Sequence, residues 1–461
     1  MSRRFLAPFL LGILLAACGG RGGSRPHVVL VLVDQLRQDA ADTWMSETRA
    51  LAGRGIVFAN ARSVAPWTYP SVVSLFSGLY PQQHGADGHA DGKLLTTFSA
   101  DVPLLPQLLR DAGYHASGFV TNPFLHEWNP IHLAFDHYDA SFIRNPGNRR
   151  GLGDLVWTER MYGDSVNAAV RAYFDARTLD APEFTYVHYI DVHGRKEGPQ
   201  RWQGAPFAGD YASAVRFVDQ RIEELYDYFS ARYAGNLLFL VTSDHGQDLD
   251  DDLAIGEGEP ARKRKVSMHD FNLRIPLYVL PGTPVPGARH IEDPVASIDL
   301  VPTLCEWLDL ELPIEVPGKS LLPLIEGGEL ATRDRALYAR MSAFGRLDDC
   351  MIHHGTKFIR YREPGSGRVL MHAAFDLDSD PREAQNLGSD LGDEERLLLE
   401  REAGDHGVLF RADFEVPDGE VLEQLQELGY LGDTGEDADG DESEQPSATA
   451  TDSRTRCPPR R

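Results

Sequence analysis

The stretch HVVLVLVD, residues 27–34, sets six aliphatic residues in a row, Val28 to Val33, and closes them with a carboxylate. A half-exposed strand would carry a polar residue at every second position, so this run marks a strand buried on both faces. NLLFLVTSD, residues 236–244, has the same character and also ends on an acid. YHASGFV (114–120) and PEFTYVHYID (182–191) read as further strands. Between them lie stretches with helical period: VPLLPQLLRDAGY (102–114), which closes at Gly113, and DYASAVRFVDQRIEELYDYFSARY (210–233). Strands alternating with helices predict an α/β fold, a mostly parallel central sheet flanked by helices. In such sheets ligands collect beyond the carboxyl ends of the strands, which is where Asp34, Asp244 and Asp191 fall.

Outward from this core the texture changes. After residue 345, KFIRYREPGSGRVLMHAAFDLDSDPREAQNL (357–387) reads as antiparallel strands with Gly-rich turns, followed by a helix over DEERLLLEREA (393–403). The expected organisation is a large domain over 27–345, a small α+β subdomain over 346–430, and a disordered acidic tail over 431–461. At the front, Arg3 and Arg4 precede FLAPFLLGILLAAC, too short to span a bilayer but suited to a signal-peptide core over 1–17. Its end, Leu15-Ala16-Ala17-Cys18, resembles a bacterial lipobox. On that reading Cys18 carries a lipid, residues 18–26 are a tether, and the chain is exported and anchored to a cell-envelope membrane. An ordinary cleaved signal is the alternative.

The net charge of -25 argues against nucleic acid or an anionic membrane as a main partner, and 42% hydrophobic with 25% charged residues is an ordinary globular composition. A chain this acidic needs a metal or local cations to handle an anion. Asp34, Asp244 and His245 supply two carboxylates and an imidazole at strand ends, a set suited to one divalent cation. Ca2+ prefers more oxygen ligands, whereas the histidine admits Mn2+ or Zn2+. Cys305 reads as a core residue; Cys350 and Cys457 lack any spacing that decides whether they pair.

The segment PWTYPSVVSLFSGLYPQQHG, residues 66–85, predicts a helix start. Pro70 suits a first turn, and Val72, Val73, Leu75, Phe76 and Leu79 follow at near-helical spacing. Thr68 then sits where free N–H groups favour an oxyanion, either as a reactive hydroxyl or merely as an N-cap. His84 reads as a structural, hydrogen-bonded histidine.

VLVDQLRQD, the 66–85 segment, LLRDAGYHASGFVTNPFL, FTYVHYIDVHG, LVTSDHG, NLRIPLYVLPG, SIDLVPTL and FDLDSDPREAQNL occur in that order. Together they resemble the sulfatase family of the alkaline phosphatase superfamily. The resemblance implies a metal-dependent ester hydrolase with Thr68 in the nucleophile position and metal ligands at Asp34, Asp244 and His245. Gln35 stands where many members have another Asp, and its amide oxygen would be a weaker ligand. His193 matches a substrate-contacting histidine that protonates the leaving oxygen. Lys265, nine residues before Arg274, matches a substrate-binding lysine; His269 would serve equally well, and Asn122 falls near an anion-contacting position. A second metal would need Asp191 with His193 or His188, which is not a full set, so one ion is expected.

Thr68 cannot become formylglycine, and Val72 replaces the Arg of the maturation pattern. A threonine ester has no second hydroxyl with which to expel sulfate, so release requires a second displacement at the central atom. That favours phosphoester or phosphonate chemistry on a small-molecule, glycan or lipid-headgroup anionic ester. Sulfuric ester hydrolysis without formylglycine, and a non-catalytic surface lipoprotein that binds rather than cuts, are the competing readings.

Overall fold

The computed structural model describes residues 25–88, 95–127, 129–142, 161–178, 180–193, 205–249, 267–283, 285–330, 335–343, 346–363 and 365–388, with 399, 409 and 410. Its central sheet has eight strands: β1 His27–Val33, β2 Ile56–Phe58, β3 His115–Phe119, β4 His137–Asp139, β5 Glu183–Tyr189, β6 Leu237–Thr242, β7 Leu277–Leu280 and β8 Arg289–Ile291. They lie side by side in the order β8-β2-β7-β6-β1-β5-β3-β4. All pairings are parallel except the two made by β7. The mostly parallel sheet expected from the apolar runs is the sheet observed.

Strand β1 is central because both of its faces are covered. Val28, Leu30 and Leu32 pack in one core with Val72, Val73 and Phe76 of the helix Thr68–Ser77. Val29, Val31 and Val33 pack in a second core with Val215, Val218 and Ile222 of the helix Tyr211–Arg232. Each such side chain contributes about 1.5–3 kcal/mol when fully buried, which is why the run tolerates no polar alternation. Cys305 is buried in the helix Leu300–Trp307, as its periodicity indicated.

Four further strands, β9 Leu337–Ala343, β10 Arg346–His353, β11 Thr356–Arg362 and β12 Val369–Asp376, form an antiparallel meander. The boundary expected at 346 falls inside this unit, because β9 pairs with β10 along its whole length. Only residues 344 and 345 separate these two strands in sequence, and the change of texture beyond 345 lies within the meander instead of at its edge. Cys350 is a buried free thiol on β10, while Cys457 lies outside the described residues. The signal segment with Cys18, the tether, the acidic tail and Lys265 lie outside them too, as does nearly all of DEERLLLEREA. Among the described residues no helix is long and apolar enough to cross a membrane.

Candidate active site

Side chains alternate faces along a strand, and that period places four polar groups together. On β1 the residues facing the Thr68–Ser77 helix are Val28, Leu30 and Leu32, and two positions on comes Asp34. On β6, Leu238 and Leu240 lead in the same way to Asp244; on β5, Phe184 and Tyr186 lead to His188. On β3, Ala116 and Val120 lead to Asn122. The strand order β6-β1-β5-β3 sets these groups in one row at the carboxyl end of the sheet.

Asp34, Asp244 and His245 are all buried, and their ligand atoms lie within 4.8 Å of one another. Asp34 Oδ1 and Asp244 Oδ2 are buried with no hydrogen-bond donor. Leaving two carboxylate oxygens so is costly unless a cation meets them, so the residues present fit a divalent metal. Burial alone would raise the Asp34 carboxyl, but His193, then His188 and His245, hold it below the usual carboxylate range. Asp244 is pushed up, by burial first and then by the charge of Asp34. Ser243 ties the two ligand loops together, since its Oγ lies 2.7 Å from Val33 O and 2.7 Å from His245 O. His245 Nδ1 lies 2.6 Å from Gly246 O, which sets that nitrogen as the donor and leaves the Nε2 lone pair for the centre.

Thr68 opens its helix as the first helical residue, and extended Trp67, not Thr68, takes the N-cap position. Its fully buried hydroxyl faces the cluster instead: Oγ1 is 3.4 Å from Asp34 Oδ2, 3.4 Å from His245 Nε2 and 3.5 Å from Asn122 Nδ2. The helix start is pinned to the second ligand loop by Ser71, whose Oγ donates to Asp244 O at 2.5 Å. A hydroxyl is thus held at a helix N-terminus against an acid–imidazole cluster.

A family profile for sulfatases matches residues 26–310, more than half of the chain. The chain belongs to the sulfatase family. It is therefore a hydrolase of the sulfatase type. A second profile, the C-terminal part of N-sulphoglucosamine sulphohydrolase, matches residues 258–398 and takes in the meander. The chain is similar to the delta 4,5-hexuronate-2-O-sulfatase of Bacteroides thetaiotaomicron, 22% identical over 82% of this chain and 88% of that protein. Its fold matches that of BT4656, solved with its substrate D-glucosamine-2-N,6-O-disulfate, with a TM-score of 0.64 at 15% identity over 83% and 98% of the two chains. It likewise matches the phosphonate monoester hydrolase of Agrobacterium radiobacter, with a TM-score of 0.59 at 18% identity over 82% and 94%.

Within this sulfatase fold, most residues singled out from sequence converge. Asn122 donates to Asp34 Oδ2 at 2.5 Å, and buried His193 stands close enough to Asp34 to hold its charge. Gln35 contributes through its backbone: in the left-handed region at φ 61, it donates N–H to Asp244 Oδ1 at 3.1 Å and accepts Tyr211 Oη at 2.9 Å. Asp191 turns away to accept the N–H of Gly163 at 3.0 Å. His269 is buried at the start of the helical turn Asp270–Leu273, and that turn is bonded to the ligand loop through Gly246 N–H and Asn272 O at 2.7 Å. Gly246 is needed there, because a Cβ would lie 2.0 Å from Phe271 O.

His84 is structural, as expected. Its Nε2 is 2.9 Å from Ser74 Oγ, its Nδ1 accepts from Ala86 N–H at 3.0 Å, and burial lowers it to about 3. The residue given too little weight from sequence is His188. Its Nε2 lies 3.4 Å from Asp34 Oδ2 and its Nδ1 3.0 Å from Thr121 Oγ1. The available signal was its parity with Phe184 and Tyr186 inside an otherwise apolar strand.

Proposed function

We propose that this hydrolase cleaves phosphoesters or phosphonates on anionic small molecules, glycans or lipid headgroups, through a covalent ester on Thr68. The observation that carries this reading is the Thr68 hydroxyl, buried at a helix start and 3.4 Å from both Asp34 Oδ2 and His245 Nε2. A Ca2+, Mn2+ or Zn2+ ion held by Asp34, Asp244 and His245 would supply Lewis-acid charge against the negative charge that develops. Thr68 Oγ1 bonds to phosphorus as the bond to the leaving oxygen breaks, and Asp34 Oδ2, 3.4 Å away, is the acceptor within reach of its proton. Asn122 Nδ2 and the positive end of the Thr68–Ser77 helix would meet the charged oxygens. His193 protonates the leaving oxygen. Water then attacks phosphorus and displaces Thr68, because a threonine ester has no second hydroxyl through which to eliminate.

This two-step displacement is ordinary for phosphorus and harder to arrange for a sulfuric monoester. Similarity to a phosphonate monoester hydrolase supports the reading. The second reading, sulfuric ester hydrolysis, is supported by the sulfatase relatives and by the disulfated substrate of BT4656. A panel of aryl sulfate, phosphate monoester, phosphodiester and phosphonate monoester separates the two. The expected order places a phosphorus ester first; aryl sulfate leading by a wide margin overturns it. A purely binding role leaves the orphaned carboxylate oxygens of Asp34 and Asp244 without a purpose.

We also propose export and a lipid anchor at Cys18, on the lipobox-like sequence alone. In a bacterial host the full chain is expected in the membrane fraction and its Cys18→Ala form outside it. Equal partition of the two forms removes the anchor.

A further inference from the structure

A buried charge network that the chemistry above does not use joins the C-terminal meander to both arms of the site. Lys357 on β11 is fully buried, with Nζ 2.8 Å from Asp270 Oδ1 and 2.8 Å from Glu383 Oε1. Arg62 holds the other side of Asp270 through Nη2 at 2.8 Å and Nε at 3.2 Å. Glu383 Oε2 accepts the Asp270 N–H at 2.6 Å and lies 3.4 Å from His269 Nδ1.

Stability is a weak account of such a cluster. Taking these ions out of water is expensive, and apolar replacements of similar volume are often neutral or better. Glu383 is also in the left-handed region, at φ 56, a conformation that persists in a non-glycine residue only where its surroundings over-determine it. What the cluster supplies is position. Arg62 leads into Ser63, whose Oγ meets Ser71 Oγ, in the first turn of the Thr68 helix, at 2.7 Å. Asp270 opens the turn that bonds both Gly246, through Asn272 O at 2.7 Å, and Ser63, through Leu273 O at 2.8 Å. His269 precedes Asp270, its ring stacked on Phe271 at 5.6 Å and edge-on to Phe375 of β12 at 5.3 Å.

We infer that Glu383 is a positioning residue for substrate binding: held by Lys357, its carboxylate lies against His269 Nδ1 at 3.4 Å and so orients the ring to present Nε2 to an anionic oxygen of the ester. The inference rests on His269 as a substrate contact. Two aromatic rings fix the plane of the imidazole, and the carboxylate fixes its rotation in that plane. The C-terminal unit supplies Lys357, Phe375 and Glu383, so it belongs to the substrate site although it carries none of the reacting groups.

The test uses the full chain with Glu383→Gln, His269→Asn and the double variant, and Glu383→Asp in case the glutamine variant does not fold. KM for the best ester of the panel is expected to rise about tenfold in Glu383→Gln with kcat within about twofold, the loss of one charge-assisted contact. Inhibition by inorganic phosphate should weaken by the same factor, and Glu383→Gln should add nothing in the His269→Asn background. A wholly structural Glu383 would lower thermal stability with KM and phosphate inhibition unchanged, which overturns the inference. So does a Glu383→Gln effect that persists in the His269→Asn background. If no ester is turned over, calorimetric binding of phosphate reads the same contact. Wild-type phosphate affinity in His269→Asn removes the His269 assignment itself, whereas a loss there without one in Glu383→Gln removes only the role of Glu383.

Discussion

Thr68→Ala is expected to lose at least about 10³-fold in kcat on every ester of the panel, with little change in the fold. The side chain is small, so the cavity left behind is small, and its hydroxyl makes no helix cap whose loss would weaken the helix. What disappears is the one oxygen that approaches Asp34, His245 and Asn122 together. Thr68→Ser restores that oxygen without the methyl and is expected to keep activity within about tenfold of wild type. The pair distinguishes a nucleophile from a packing residue, because loss of packing would appear in both. Acid quenching during turnover should trap phosphate on Thr68 in the wild type and none in the alanine variant. Thr68→Ala with wild-type kcat ends the nucleophile assignment.

Asp244→Asn is expected to move stability and activity in opposite directions. The metal-free wild type holds two carboxylates close together in a buried site, with Asp244 pushed toward its protonated form by burial and by Asp34. An amide removes that repulsion and keeps the acceptor that meets the N–H groups of Gln35 and His245. The metal-free variant should therefore be more stable than the metal-free wild type. The same change removes a charged ligand, so saturating divalent metal should raise the wild-type melting temperature and leave the variant's nearly unmoved. Turnover should fall by at least about 10³-fold. Denaturant unfolding with and without a chelator, alongside elemental analysis, measures each part. Equal metal stabilisation of both proteins removes Asp244 from the ligand set.

The parts that sequence made legible share a property: each is local. Apolar runs disclose β1 and β6 because burial on both faces suppresses alternation, and Asp34 and Asp244 stand out because they end such runs. Thr68 is visible through Pro70 and the helical spacing behind it. His188 is not, since it lies inside a strand and its approach to Asp34 depends on which strands are neighbours. Arg62, Asp270, Lys357 and Glu383 are harder still. No motif or periodicity marks any of them, and only tertiary packing brings them together.

The alternation that brings Asp34, Asn122, His188 and Asp244 onto one face also limits how such a chain can change over time. Each strand delivers a single group, so one position can be exchanged for another chemistry without moving the strands that carry the other three. A gain or loss of one residue within β1, β3, β5 or β6 would instead swing its group into the opposite core. A change in chain length is therefore expected to be tolerated in the connections and not within these four strands.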